Sequence, residues 1–141
     1  MAHFAKLNPT PNADGTHTVL SVNPMNDNVN EVTLSTQTGG LYKKCSYNTK
    51  SGVYYTPNTT DVDPDQSKAF RKNFPSKGMV YNPTKDAFHS VKPFSLWTYD
   101  DETANWIPDV PMPQTKDADD SAELYDYVEG TGWVKKQNQL P

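Results

Sequence analysis

The sequence predicts an all-β fold: a small, extended set of aromatic β-hairpins with proline-rich connections and little core. Three observations predict it. A short unit recurs four times, in which an aromatic residue, a polar turn-forming stretch and a second aromatic follow one another. The copies are Tyr47-Asn-Thr-Lys-Ser-Gly-Val-Tyr54, Tyr81-Asn-Pro-Thr-Lys-Asp-Ala-Phe88, Tyr99-Asp-Asp-Glu-Thr-Ala-Asn-Trp106 and Tyr127-Val-Glu-Gly-Thr-Gly-Trp133. Only 34% of the 141 residues are hydrophobic, whereas 7 are glycine and 12 proline, which supplies turns at the expense of helix formers. Aromatics make up 11%, and each ring covers a large area on a two-sided ribbon.

In a hairpin with an even-numbered loop, residues i and i+7 lie opposite each other on one face. The first three copies therefore predict cross-strand aromatic pairs. The fourth is one residue shorter and pairs i with i+6, which suits an odd loop with a left-handed glycine, Gly130 or Gly132.

Along the chain, residues 2–7 and 16–22 alternate as strands on either side of a dense turn segment, giving an N-terminal β-hairpin or arm within residues 1–40. Residues 29–34 read as a further strand and 35–40 as a polar linker. The main aromatic-hairpin region spans 41–114. Its first hairpin covers 41–55, and a loop with two prolines and three aspartates follows. Residues 67–74 fit one or two helical turns with Ala69, Phe70 and Phe74 on one face. Further hairpins occupy 79–91 and 96–107, and Pro108, Pro111 and Pro113 then impose an extended segment without ladder donors. An acidic linker and a C-terminal hairpin make up 115–141. Isolated two-stranded hairpins are marginal in water, so much of the chain is expected to gain order by docking on a larger body or on copies of itself.

The formal charge of −4 and the pI near 5.2 argue against a nucleic-acid partner. The one basic concentration, Lys68, Arg71, Lys72 and Lys77, reads as a solvated face or a patch meeting an acidic protein. Cys45 is the sole cysteine, so no internal disulfide forms. No stretch approaches the roughly 20 apolar residues of a membrane span, and the opening residues lack the pattern of a signal peptide. The expectation is a chain made and folded in a cytosol, without a membrane partner.

Asp61, Asp63 and Asp65 have the spacing that opens a calcium loop. Gln66 stands where that loop needs glycine, Lys72 where it needs a bidentate Glu, and Pro64 intrudes. His3, His17 and His89 lack zinc-site spacing. Asp100, Asp101 and Glu102 occupy a hairpin turn, where neither carboxylate of an acid/base pair would be desolvated. No catalytic residue, metal or cofactor is expected, and the chain does not read as an enzyme. Tyr and Trp hairpins can stack on sugars or cage choline, and choline-binding cell-wall repeats are faintly similar. The copies begin at irregular intervals of 34, 18 and 28 residues, which excludes a stacked solenoid.

At Ser46-Tyr-Asn-Thr49, Lys68-Ala-Phe-Arg-Lys-Asn-Phe-Pro-Ser-Lys-Gly-Met-Val-Tyr81, Asp86-Ala-Phe88 and Lys92-Pro-Phe-Ser-Leu-Trp97, the chain resembles a family of small proteins encoded by marine cyanobacterial and related marine phages. The first seven residues, Asp101-Glu-Thr-Ala-Asn-Trp106 and the Pro-Met-Pro segment are similar too. The likeness covers most of residues 41–133 and departs over 8–40, where the family usually carries a more hydrophobic second strand. It implies a virion component, assembled in the bacterial host cytoplasm, whose partners are the major capsid protein or other virion proteins, with self-association as a further option. The leading expectation is a capsid decoration or cement protein. Phe4, Phe70, Arg71, Phe74, Trp97 and Trp106 are its expected interface residues, because aromatics and arginine dominate such contacts. The alternative is a tail-associated or fibre protein that contacts a host glycan through Tyr125, Tyr127 and Trp133, or adapts a fibre to the tail.

Overall fold

Phe4 and Ala5 are both fully buried, and successive side chains of a strand point to opposite faces. The strand that carries them is therefore covered on both sides. The computed structural model describes residues 1–136. Their strands are β1 (Ala2–Leu7), β2 (His17–Met25), β3 (Leu41–Cys45), β4 (Thr49–Lys50), β5 (Val53–Tyr54), β6 (Val80–Asn82), β7 (Ala87–His89), β8 (Thr98–Asp100), β9 (Asn105–Ile107), β10 (Tyr125–Val128) and β11 (Gly132–Lys135). One helix, α1 (Glu31–Thr38), lies between β2 and β3, and a 3-10 turn, Gln66–Lys68, between β5 and β6. The all-β class read from the sequence holds.

The described residues divide into two units, residues 1–91 with 99–105, and residues 92–98 with 106–136. The first is built on a five-stranded sheet in the order β3-β1-β2-β6-β7, with antiparallel neighbours. The N-terminal hairpin is thus the centre of this sheet. Ala5, Leu7, Val19, Cys45, Tyr81 and Phe88 form its core, with Val22, Leu41, Phe74 and Met79 packed at the rim. Pro24 falls in the half of β2 that β6 does not reach, where a missing N–H is tolerated.

Residues 29–34 are not a strand. Asn30 caps a helix there, its side chain accepting from Val32 N–H at 2.8 Å and Thr33 N–H at 3.3 Å, and Gly39 closes it at φ 73°. Residues 67–74 are not helical beyond the 3-10 turn, because Arg71 and Lys72 adopt left-handed backbone (φ 56° and 66°) and break the ladder. Ala69, Phe70 and Phe74 therefore share no helical face.

The aromatic units split in outcome. Tyr81 lies opposite Phe88 with ring centroids 5.3 Å apart, and Tyr127 opposite Trp133 at 5.2 Å. The latter turn carries left-handed glycines at 130 and 132. The first unit does not pair its rings. Ser51 and Gly52 (φ 52° and 83°) form a two-residue turn that sets Lys50 against Val53 and Thr49 against Tyr54. Tyr47 is left outside the ladder and stacks on His3 instead, at 4.9 Å. In the third, Tyr99 packs on His89 at 4.9 Å.

Candidate functional site

Both outer strands of the five-stranded sheet are covered, which limits where a partner can add. At β3, Tyr42 N–H donates to Ser35 Oγ at 2.9 Å and Lys44 N–H to Glu31 Oε2 at 2.6 Å, both acceptors being on α1. At β7, Phe88 N–H donates to the Arg71 carbonyl at 3.0 Å, and the Phe88 carbonyl accepts from Asn73 Nδ2 at 3.0 Å. Closed edges of this kind prevent strand addition.

Arg71 lies between these elements. It donates to both carboxylate oxygens of Glu31, to Asp86 Oδ1 at 2.9 Å and to the Lys44 carbonyl at 2.8 Å. Its guanidinium also lies 5.7 Å from the centre of the Tyr81 ring. Burial works against the charge of Glu31, but the Arg71 hydrogen bonds and the Lys44 N–H outweigh it and hold the carboxyl below its ordinary value. Asp86 is lowered in the same way: burial opposes its charge, and Tyr81 O–H and Arg71 outweigh it. Burial and the Asp86 carboxylate push Tyr81 up to about 12.

The expected interface residues meet different fates. Phe4 is fully buried and belongs to the interior of the first unit, so it is withdrawn as a surface residue. Arg71 commits its guanidinium to Glu31, Asp86 and the Lys44 carbonyl and, with five N–H donors in all, has little left for a partner. Phe70 is half-buried beneath the Lys44 ammonium, 6.0 Å from its ring centre. Phe74, half-buried, meets His3 and the exposed Tyr47 edge-on at 5.4 and 5.1 Å. It also lines a groove of about 780 Å³ with Asn48, Lys50, Tyr55, Thr60 and Asn73. Trp106 lies under the Lys92 ammonium at 5.8 Å.

Trp97 belongs to a cluster in the second unit that the spacing of the repeats reveals only in part. Phe94, Trp97, Tyr127 and Trp133 pack with centroid separations of 4.6 to 6.1 Å. Trp97 Nε1 is shut from solvent, and the Tyr127 hydroxyl is the polar group it faces. Two polar tips of the cluster hold the proline segment: Trp133 Nε1–H donates to the Val110 carbonyl at 2.7 Å, and Tyr127 O–H donates to Asp109 Oδ1 at 2.7 Å. The Asp109 carboxylate raises the Tyr127 hydroxyl above its ordinary pKa. Glu129 accepts from Ser95 N–H at 3.1 Å and from the Ser95 hydroxyl. Asp109, Val110, Pro113, Tyr127 and Trp133 line a groove of about 330 Å³.

Among its described residues the second unit buries none, while Leu96, Ile107, Val110, Leu124, Val128 and Val134 are exposed. Four clustered rings and exposed aliphatic side chains make a surface suited to contact with another macromolecule.

The remaining candidate groups serve the fold. Asp63 accepts from Thr56 and from Asp65 N–H, and Asp65 caps the 3-10 turn through Ser67. Burial pushes the Cys45 thiol up to about 12, away from the reactive thiolate. Among the described residues no group of three or more His, Cys, Asp or Glu is placed to hold a metal ion, and no helix is long and apolar enough to cross a membrane. No protein-family model, curated protein or solved structure matches the chain.

Proposed function

We propose that the chain is a structural protein of a phage particle, a capsid decoration or cement protein that binds the assembled coat-protein lattice. The observation that carries this reading is the second unit, which exposes its aliphatic residues and buries none among those described. Such a surface gains order and cover when it lies on a larger body. The likeness to small marine-phage proteins supplies the body: a coat lattice. A ligand that binds only the closed lattice stabilises it by linkage, and many modest contacts per shell add up. Trp97, Trp106, Phe70 and Phe74 remain the interface residues of this reading. Protein composition of purified particles tests it. A copy number on the scale of the coat protein supports it, and absence of the chain from particles refutes it.

A second reading, a tail-associated or fibre protein that meets a host glycan or adapts a fibre to the tail, is favoured by the groove beside Tyr127 and Trp133. Ring faces next to a carboxylate such as Asp109 suit sugar stacking and hydrogen bonding. A low copy number set by tail symmetry distinguishes it from the first.

A further inference from the structure

We propose that the second unit links copies of the chain by exchange: the β10–β11 hairpin of one copy takes the proline segment, residues 108–113, of a neighbouring copy in place of its own. The interaction to be exchanged is already visible within one chain. Trp133 Nε1–H reaches the Val110 carbonyl and Tyr127 O–H reaches Asp109, each at 2.7 Å, beside a groove that also touches Pro113. An aromatic pair whose indole N–H grips a carbonyl of a proline-rich segment is the chemistry by which proline motifs are read between molecules. Pro108, Pro111 and Pro113 offer no N–H, so side-chain donors must supply the recognition, and they do so in the same way for any copy.

The connection between segment and hairpin permits the exchange. Residues 114–124 are all exposed except Glu123, which is half-buried. They are held by hydrogen bonds and ion pairs alone. Within the connection these are an isolated bridge between Lys116 and Ala122, Asp117 N–H to the Ser121 carbonyl, Glu123 N–H to the Thr115 carbonyl and a Lys116–Asp120 pair at 3.3 Å. To the hairpin they are the Thr115 hydroxyl with the Tyr125 hydroxyl at 2.7 Å, Lys136 N–H to the Leu124 carbonyl at 2.8 Å, and Lys135 with Asp117 and Glu123 at 3.8 and 3.1 Å. Opening them uncovers no core, since the unit buries no described residue. The hydrogen bonds and ring packing that one chain gives up form again between two, which makes exchange a low-cost route to association. In dilute solution the tether favours the chain's own segment by effective concentration. Where copies stand side by side, these residues reach at most roughly 40 Å, and a neighbour's segment competes on equal terms. The partner is a second copy of this chain, and the inference stands or falls apart from lattice binding.

Two full-length variants test it. In one, residues 108–113 are replaced by a glycine-serine segment, leaving the hairpin without a ligand. In the other, Tyr127→Ala and Trp133→Ala leave the proline segment without a reader. The probe is the indole N–H resonance of Trp133. The wild-type chain shows it hydrogen-bonded, the segment-replaced variant loses that state, and adding the hairpin-defective variant restores it saturably at one-to-one stoichiometry with a matching rise in mass by light scattering. Failure to restore the resonance, with both variants keeping the wild-type signals of the Tyr81–Phe88 core, overturns the proposal. So does a wild-type Trp133 resonance that shows no hydrogen bond. Occupancy of the intact chain on coat shells is measured separately, so neither result bears on that reading.

Discussion

Glu31 and Arg71 meet in a two-point pair between residues far apart in sequence, with Arg71 Nη1 2.8 Å from Oε2 and Nη2 3.1 Å from Oε1. Their side chains are 22% and 15% exposed. The pair fastens α1 to the segment that follows the 3-10 turn and lets Glu31 close the edge of β3 at Lys44. Removing Arg71 leaves a largely desolvated carboxylate without its partner, which is the costly way to break such a pair. Arg71→Ala is expected to lower stability by about 2 kcal/mol, read from urea unfolding. A loss under about 0.5 kcal/mol, as for a surface pair, would contradict the geometry.

The same pair sets an acid response. Glu31 and Asp86 are both held below their ordinary values of 4.5 and 3.8. The folded state therefore binds these protons less readily than the unfolded chain. Their contribution is fully present above the ordinary carboxylate range and is lost as pH falls through the lowered native values. Asp86 is 63% exposed, so solvent screens its share and Glu31 dominates. Urea midpoints should fall as the pH is taken from neutral down into the acid range below those ordinary values, and Glu31→Gln should flatten that slope. An unchanged slope in the variant would contradict the assignment.

Gly52 shows how a turn fixes a register. Its φ of 83° is a left-handed conformation, and an added Cβ would meet the Glu102 carbonyl at 3.1 Å and Lys72 Cδ at 3.4 Å. Gly52→Ala is expected to cost about 1 to 2 kcal/mol from the strained backbone, with further loss if the Glu102 carbonyl cannot move. Thermal or urea unfolding measures it, and a neutral result would mean the turn adopts another conformation.

Trp133→Phe keeps a ring in the cluster and removes only the N–H that reaches Val110. A single hydrogen bond of this kind contributes about 1 kcal/mol net. Amide exchange of β10 and β11 should accelerate about fivefold. Exchange unchanged from wild type would show that the indole N–H does not hold the proline segment.

The β class was legible because glycine, proline and paired aromatics all point the same way. Tyr81 with Phe88 and Tyr127 with Trp133 were legible because their loops preserve the spacing. Tyr47 was not, since Ser51-Gly52 makes a tighter turn than the eight-residue unit suggests and moves the register. Helix α1 was hidden behind Val32 and Thr33, whose branching suggests a strand, while Asn30 and Gly39 carried the capping signal at its ends. Phe4 was misplaced because composition favours aromatics at interfaces, whereas its position in a strand bordered on both sides decides its burial. The Glu31–Arg71 pair and the hold of Trp133 on Val110 join residues distant in sequence, and local pattern carries no trace of them. The shortage of aliphatic core residues that the composition shows for the chain as a whole reappears in the structure as the exposed aliphatic residues of the second unit.

Backbone hydrogen exchange of the free chain, compared with the chain on purified particles or coat shells assembled in vitro, tests the central proposal most directly. Protection should rise on the shell for residues 92–98 and 106–136, most around Leu96, Val110 and Val134, and around Phe70 and Phe74 in the first unit, and much less in β1 and β2, which already lie within the five-stranded sheet. Equal exchange of these segments free and in the presence of assembled shells would contradict binding through the second unit.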